Sequence, residues 1–317
     1  MEQKIKIGVS ACLLGEEVRY NGGHSHDRYI TGILGQYFTF VGVCPEVEAG
    51  FGIPRETLRL VGDPESPRLL TSRSGKDYTD TMLQWAGKRV EELAAENLCG
   101  FIFKSKSPSS GMERVKVYTD NGMPGSNRGV GLFARAFMAR FPLVPVEEEG
   151  RLHDGALREN FIEHIFALKR WRQVAEEKKS RGQLVAFHTA HKLQVMSHSL
   201  QHYRDMGRLV AGAGELSLPD LYREYESLFM EALSRKATVK KNVNVLQHMA
   251  GYFKKQLSRD EKQELQEVIA QYHKGYTPLI VPITLFNHYV RKYDQEYLQK
   301  QSYLNPHPIE LKLRNRA

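Results

Sequence analysis

Two patterns of hydrophobic positions divide the chain. In the first half, short apolar runs alternate with amphipathic stretches, which predicts strands alternating with helices. The predicted strands cover residues 4–9, 39–44, 57–62, 67–75, 100–106, 113–118 and 141–146, and the clearest predicted helices cover residues 77–97 and 132–140. This alternation is typical of an α/β domain with a mostly parallel sheet.

The second half of the chain has a helical period. From about residue 157 onward, apolar side chains recur at helical spacing, for example at Leu221, Tyr225, Leu228, Phe229 and Leu233. The acidic stretch at residues 147–150 indicates a domain boundary. We therefore expect an α/β domain over residues 1–150 and an all-α domain of five to seven helices over residues 151–317.

The composition is that of a globular protein. Hydrophobic residues make up 41% of the chain, charged residues make up 26%, and the mean hydropathy is −0.47, which excludes a disordered or collagen-like chain. No run approaches the roughly 18 apolar residues of a membrane span, and the first residues lack the apolar segment of a secretory signal. We expect a cytoplasmic protein that does not enter a membrane.

Positive charge is concentrated in the second half. Residues 151–317 hold 27 Lys and Arg against 18 Asp and Glu, whereas residues 1–150 hold 18 against 19. Such an excess favours binding of a polyanion such as RNA. The candidate RNA-binding residues are two pairs of lysines at the ends of one predicted helix, Lys240, Lys241, Lys254 and Lys255. A helix of this length separates the pairs by about 20 Å, so they could contact successive phosphates.

Cysteines follow two of the predicted strands. The chain has three cysteines, and this low, odd number argues against a disulfide framework. Cys12 and Cys44 each come directly after a strand, and Glu46 lies two residues beyond Cys44. A third predicted strand, residues 100–106, brings residues 104–111 to its carboxyl end. Since the carboxyl ends of parallel strands share one edge of a sheet, where ligands bind, we expect these side chains to converge there.

The same residues lie in motifs that resemble a known family. The segments VSACLLGEEVRYNGGH, VCPEVEAGFGIPRE and FKSKSPSSG resemble the DUF523 family, which includes the thiouracil desulfidases. In the second half, FHTAHKLQVMSHSLQHY, KKNVNVLQHMAGYFKK and TLFNHYVRKY resemble DUF1722. The two likenesses cover essentially the whole chain. Such a fusion is similar to the bacterial desulfidases that remove sulfur from 4-thiouridine in tRNA.

The resemblance implies a [4Fe–4S] cluster held by three cysteines, with an open iron that takes up the substrate sulfur. Transferred to this sequence, it makes Cys12 and Cys44 cluster ligands. Glu46 becomes the acid or base that activates water, and Ser107 becomes a serine that positions the substrate or relays a proton. The implied reaction is a non-redox desulfuration of a thiolated uracil in tRNA, which gives uridine.

The sequence departs from the family at the third cysteine. The family motif SPSCG reads SPSSG here, so Ser110 stands where the thiol is expected. Cys99 supplies a third thiol, but it precedes its strand and is expected at the opposite edge of the sheet. Ser110 as an alkoxide is a harder donor that gives a weaker iron site. The third ligand, Ser110 or Cys99, stays open at this point.

Cations near the same edge are candidate substrate-binding residues. These are Arg19, Arg55, Lys104 and Lys106. Arg55 is expected to contact a ligand or to pair with Glu48 or Glu56. Lys104 and Lys106, two apart on one predicted strand, are expected to share a face and to hold a nucleotide phosphate.

Other functions compete with tRNA desulfuration. A desulfidase of free thionucleobases or nucleotides would use the same pocket. Alternatively, Ser110 could mark the loss of the cluster in an inert nucleic-acid-binding protein. A third question concerns four histidines of the second half, His188, His191, His198 and His202. Without an HExxH motif, they favour polar surface or RNA-phosphate contacts over a metal site.

Overall fold

The structure, a computed structural model, describes residues 4–177 and 179–315. The backbone divides into two compact units, Met1–His153 and Asp154–Ala317. The first is an α/β unit with a parallel sheet, and the second is predominantly helical, which confirms the predicted fold class.

The first unit contains eight strands and three α-helices within the described residues. The strands are β1 (Ile5–Ser10), β2 (Phe38–Val43), β3 (Leu58–Val61), β4 (Arg68–Thr71), β5 (Phe101–Phe103), β6 (Val115–Tyr118), β7 (Pro124–Gly129) and β8 (Val146–Glu148). The helices are α1 (Pro45–Glu48), α2 (Thr79–Ala94) and α3 (Leu132–Arg140). The eight strands form two four-stranded sheets.

The first sheet is entirely parallel, in the order β2-β1-β5-β8. Its central strands are apolar because helices cover them. Phe101 and Phe103 are fully buried and contact Phe133 and Phe137 of α3. Burial of each phenyl ring contributes about 1.5–3 kcal/mol. Gly8 of β1 makes room for this cluster, because a Cβ there would lie 2.2 Å from the Phe101 ring.

The second sheet is mixed, in the order β4-β3-β6-β7. The two strands predicted at residues 57–62 and 67–75 form the antiparallel pair β3–β4. β7 was not predicted, because its residues PGSNRG lack apolar side chains and are mostly exposed. The strand predicted at residues 141–146 is wrong: those residues turn, since Pro142 and Pro145 donate no backbone hydrogen bond, and β8 begins only at Val146.

The second unit contains seven helices of twelve or more residues and one short helix within the described residues. They are α4 (Gly155–Glu176), α5 (Arg181–His198), α6 (Leu200–Ala211), α7 (Leu218–Ser234), α8 (Val239–Ala250), α9 (Arg259–His273), α10 (Ile280–Lys292) and α11 (Glu296–Gln299). Capping side chains of Asp, Ser or Thr begin α4 to α9. None of the described helices is long and apolar enough to cross a membrane.

The histidines of α5 and α6 are buried, which corrects the expected polar surface. His188, His191, His198 and His202 are each at most 8% exposed. His191 donates to the Phe187 carbonyl at 2.8 Å, and His198 donates to the Arg235 carbonyl at 2.7 Å. His188 contacts the Tyr225 hydroxyl at 3.3 Å and His202 contacts the Ser199 hydroxyl at 2.8 Å. All four are core residues with partners inside the protein, so RNA phosphates cannot reach them.

Burial of histidines predicts that acid destabilises the helical unit. Burial lowers the pKa of His164 and His191 to about 3, and that of His188 and His307 to about 4. Below the unfolded value of about 6.5 the unfolded chain binds protons that the folded chain does not, so stability falls as pH falls toward 4. Each histidine contributes a slope of about 1.4 kcal/mol per pH unit. Urea unfolding followed by helical circular dichroism should therefore give a much lower free energy of unfolding at pH 5 than at pH 7.

His191→Gln should make this pH dependence shallower by about one proton. His248→Gln, at an exposed position on α8, is the matched control and should leave the slope unchanged. Equal slopes for His191→Gln and the wild-type protein would contradict the assignment.

Candidate active site

The predicted strand-end residues converge at one edge of the parallel sheet. Ser10 pairs in register with Val43, so β1 and β2 end side by side. Cys44 follows β2 directly, and Cys12 lies two residues beyond the end of β1. The alignment of Phe103 with Glu148 brings the ends of β5 and β8 to the same edge. A cavity of about 490 Å³ opens there. Its lining includes Cys12, Arg19, Cys44, Glu46, Arg55, Lys104, Lys106, Ser107, Ser109 and Ser110.

Cys99 lies away from this cavity. Its amide donates to the Lys6 carbonyl at 2.9 Å, near the beginning of β1, whereas Cys12 follows the end of the same strand. Although β5 is shorter than predicted, Cys99 is at its amino-terminal side and is 3% exposed. Of the two candidates for a third ligand, the structure therefore brings Ser110 to Cys12 and Cys44, and it does not bring Cys99.

The two cavity thiols are only partly exposed. Burial raises the pKa of Cys12 to about 11, with the neighbouring Lys104 opposing the shift and Cys44 adding to it. Burial also raises the pKa of Cys44, although a backbone hydrogen bond from Val47 opposes the shift. Both side chains are protonated thiols at neutral pH in the absence of a metal, and metal coordination would displace these protons.

Glu46 is held from both sides. Arg55 donates from Nε to Glu46 Oε2 at 2.8 Å, and its Nη2 donates to the same oxygen. Ser109 donates to the other oxygen, Oε1, at 2.9 Å. The ion pair and the serine hydrogen bond together fix the orientation of the Glu46 side chain. The expectation that Arg55 pairs with Glu48 or Glu56 is wrong, because Glu48 pairs with Arg89 and Glu56 accepts from the amide and hydroxyl of Ser74.

Ser109 is a site residue that the sequence reasoning missed. It links Ser107 to Glu46, since the Ser107 and Ser109 hydroxyls are 3.0 Å apart. Ser107 Oγ also accepts from the amides of Ser109 and Ser110, at 3.3 and 3.1 Å. The serine-only composition of the loop was the one available signal, and it could not show which hydroxyl reaches the carboxylate.

The first turn of α3 holds the serine loop in place. The amides of Phe133 and Ala134 donate to the Ser109 carbonyl at 3.0 and 3.2 Å. Such amides have no partner within their own helix, so the loop carbonyl satisfies them. Gly131 permits this close approach, because a Cβ there would lie 2.5 Å from the Ser109 carbonyl carbon. Any larger residue at position 131 would displace the loop that carries Ser107, Ser109 and Ser110.

The four predicted cations line the cavity but differ in their partners. Lys104 pairs with Glu149, which also accepts from the Ser105 amide at 2.7 Å. The expectation that Lys104 and Lys106 share one strand face is wrong. β5 ends at Phe103, and Lys106 has a left-handed backbone with φ of 59°. Arg19 lies 5.7 Å from the Tyr20 ring centre and forms no ion pair within the described residues.

The donor set fits an iron–sulfur cluster in part. Iron–sulfur clusters are held by thiolates, and Cys12 and Cys44 face one cavity. In the part of the chain that the structure describes, no three His, Cys, Asp or Glu side chains group as a metal site. A third protein donor would therefore be the Ser110 hydroxyl, which lines the same cavity.

Comparison with known proteins matches each half of the chain to a protein family. The family model for 2-thiouracil desulfurase matches residues 7–149, and the model described as protein of unknown function (DUF1722) matches residues 192–308. The uncharacterized protein YbgA of Escherichia coli is 33% identical over 48% of this chain and 90% of its own length. The uncharacterized protein YbbK of Bacillus subtilis is 32% identical over 39% of this chain and 85% of its own length.

The chain belongs to the 2-thiouracil desulfurase family, joined to a DUF1722 region. The predicted resemblance is thereby confirmed, and the cavity lies within the desulfurase region. Among solved structures, the [4Fe–4S]-dependent thiouracil desulfidase TudS is 28% identical, over 49% of this chain and 97% of that chain. Its TM-score of 0.38 is too low for its cofactor to be transferred to this chain by superposition.

The predicted RNA-binding lysines lie around α8 in the DUF1722 region. Lys240, Lys254 and Lys255 are exposed. Lys241 is less available to a phosphate, because its ammonium donates to the carbonyls of His198 and Lys236 at 2.6 and 2.9 Å. The helix ends at Ala250 rather than continuing through Lys255, so the two lysine pairs do not share one helix.

Proposed function

We propose that this protein removes sulfur from a thiolated uracil base, with 4-thiouridine in tRNA as the substrate and uridine as the product. The observation that carries the proposal is the cavity itself. Within a 2-thiouracil desulfurase region, Cys12, Cys44, Glu46 and the serine loop line one space at the carboxyl edge of a parallel sheet. The overall reaction exchanges the sulfur of C=S for the oxygen of water and releases sulfide.

Glu46 is assigned as the general base. Arg55 occupies Oε2, so Oε1 is the oxygen available to accept a proton from the attacking water. Ser109 already donates to Oε1 and contacts Ser107, which gives a chain of hydroxyls that can pass the proton onward. Because Arg55 and Ser109 fix the carboxylate before substrate binds, little reorganisation is needed during the reaction.

Cys12, Cys44 and Ser110 are the residues that would hold a [4Fe–4S] cluster. Such a cluster would supply an iron that acts as a Lewis acid toward the thiocarbonyl sulfur. The protein contributes two soft thiolates and one harder oxygen donor. Arg19, Lys104 and Lys106 surround the same cavity and are proposed to bind the nucleotide.

Binding of tRNA is proposed for the basic DUF1722 region. The exposed Lys240, Lys254 and Lys255 add to an excess of basic residues over residues 151–317. Phosphate contacts of this kind make affinity fall steeply with salt. Two of the aromatic residues nearby, Phe253 and Tyr289, do not supply stacking faces, because they are buried in the core of the unit.

The test uses the full chain, reconstituted anaerobically with iron and sulfide. It is incubated with tRNA that contains 4-thiouridine and, separately, with 4-thiouridine 5′-monophosphate, and the thiolated nucleoside that remains is measured. We expect loss of sulfur from tRNA, with kcat/KM falling as salt rises.

Each rival function gives a different result. Activity on the mononucleotide without activity on tRNA would establish a desulfidase of free nucleotides. No bound iron and no sulfide release from either substrate, together with salt-sensitive tRNA binding, would establish an inert nucleic-acid-binding protein.

A further inference from the structure

A second cleft lies beside the proposed active site. It has a volume of about 660 Å³ and is lined by Lys106, Arg114 and Lys116 together with residues 124–127. Lys106 also lines the cysteine cavity, so the two spaces adjoin at this side chain. The wall formed by residues 124–127 belongs to β7, which is the edge strand of the mixed sheet. Neither the family assignment nor the proposed chemistry gives this cleft a role.

The cleft carries uncompensated positive charge. Its lining, as far as the structure describes it, contains three cations and no carboxylate. Arg114 pairs with Glu113, but Glu113 also binds Arg151 at 2.7 Å, so one carboxylate serves two arginines. Lys106 and Lys116 form no ion pair within the described residues, and Lys116 lies 5.2 Å from the Tyr118 ring centre. An anion in the cleft would gain the attraction of cations that lack acidic partners.

Two of the three cleft cations have a backbone conformation that is unfavourable for residues other than glycine. Lys106 and Arg114 have φ values of 59° and 53°, in the left-handed region that favours glycine. Two long cations at such positions border the same cleft. Unusual backbone of this kind concentrates at ligand sites, so it supports a binding role for these side chains.

We propose that this cleft binds the RNA backbone adjoining the thiolated nucleotide. The inference rests on the proposed function, since it assumes that the reacting base occupies the cysteine cavity. A single base or mononucleotide fits within that cavity, whereas a polynucleotide continues beyond it and carries further phosphates. Lys106 lines both spaces, whereas Arg114 and Lys116 line the cleft and not the cysteine cavity. Ser126 and Asn127 offer hydroxyl and amide groups to phosphate and ribose oxygens.

The test compares Lys116→Glu with Lys88→Glu in the reconstituted full chain. Lys88 is an exposed lysine of α2 outside the cleft, so both substitutions change the net charge equally. We expect Lys116→Glu to lower kcat/KM for tRNA about tenfold and to make its salt dependence shallower by about one unit of slope. Activity on 4-thiouridine 5′-monophosphate should remain within about twofold of the wild type. Arg114→Ala should act in the same direction on tRNA.

The two substrates separate failure of this inference from failure of the proposed function. If the wild-type protein desulfurates tRNA and Lys116→Glu matches Lys88→Glu, the cleft does not bind RNA and the proposed function stands. If Lys116→Glu lowers activity on both substrates equally, Lys116 acts on the cavity and the inference is wrong. If the wild-type protein acts on the mononucleotide and not on tRNA, the tRNA substrate is wrong and the inference falls with it.

Discussion

Glu46→Gln is expected to lower kcat for desulfuration by about 10²- to 10⁴-fold, the usual contribution of a positioned general base. The amide has nearly the same shape as the carboxylate and can still accept from Ser109, but it cannot take a proton from water. Single-turnover loss of 4-thiouridine from tRNA measures this step directly. Substrate affinity should change much less than kcat, because the interaction is needed in the transition state rather than in the bound complex.

Two controls make this result specific. Glu91→Gln removes an arginine-paired carboxylate elsewhere in the same unit, since Glu91 pairs with Arg140 on the surface, and it should leave kcat unchanged. Iron content per chain should be the same for Glu46→Gln and the wild type. A Glu46→Gln protein with wild-type iron content and kcat within about threefold of the wild type would exclude Glu46 as the base.

The placement of the two cavity cysteines could be predicted from the sequence for a simple geometric reason. Cys12 and Cys44 each follow an apolar run, and parallel strands in register end at one edge of a sheet. The same reasoning placed Cys99 at the opposite edge, where the structure has it. The apolar period is a local pattern in the sequence, and the edge at which a strand ends follows from the direction of parallel strands. Neither depends on which side chains meet in the folded site.

The contacts inside the site could not be predicted in this way. Arg55 reaches Glu46 nine residues away because the loop between them folds back, as the hydrogen bond from the Phe51 amide to the Glu46 carbonyl shows. The link from Ser109 to Glu46 joins residues 63 positions apart. Such pairs depend on tertiary distances that a local pattern does not encode.

Burial of polar residues misled the sequence reasoning in the helical unit. The histidines of α5 suggest a polar face when they are counted by residue type. In the structure His198 and Gln194 both contact the buried Glu163, at 3.4 and 2.8 Å. A polar residue is stable in a core when its partners are also buried, and these partners come from other helices. Helical period alone cannot reveal them.

Iron binding is the second large effect expected from the proposed function. Cys12→Ala and Cys44→Ala should each abolish retention of iron after anaerobic reconstitution and a chelator challenge. Ser110→Cys should raise retention toward about four irons per chain, because a thiolate is a softer donor for iron than a serine oxygen. The change replaces one atom at a position that is 4% exposed and lines the cavity, so it adds a third thiol to the space that Cys12 and Cys44 line.

Cys99→Ala is the matched control for this series. It removes a thiol from a buried position outside the cavity. We expect the substitution to lower the free energy of unfolding by about 1 kcal/mol at most and to remove no iron ligand. Iron loss on Cys99→Ala in a protein that still melts cooperatively would make Cys99 a ligand and would contradict the pairing of its amide with the beginning of β1. Iron retention by Cys99→Ala, with loss in Cys12→Ala, would show that two thiolates hold the metal. In that case the extra retention in Ser110→Cys measures how much the serine weakens the site.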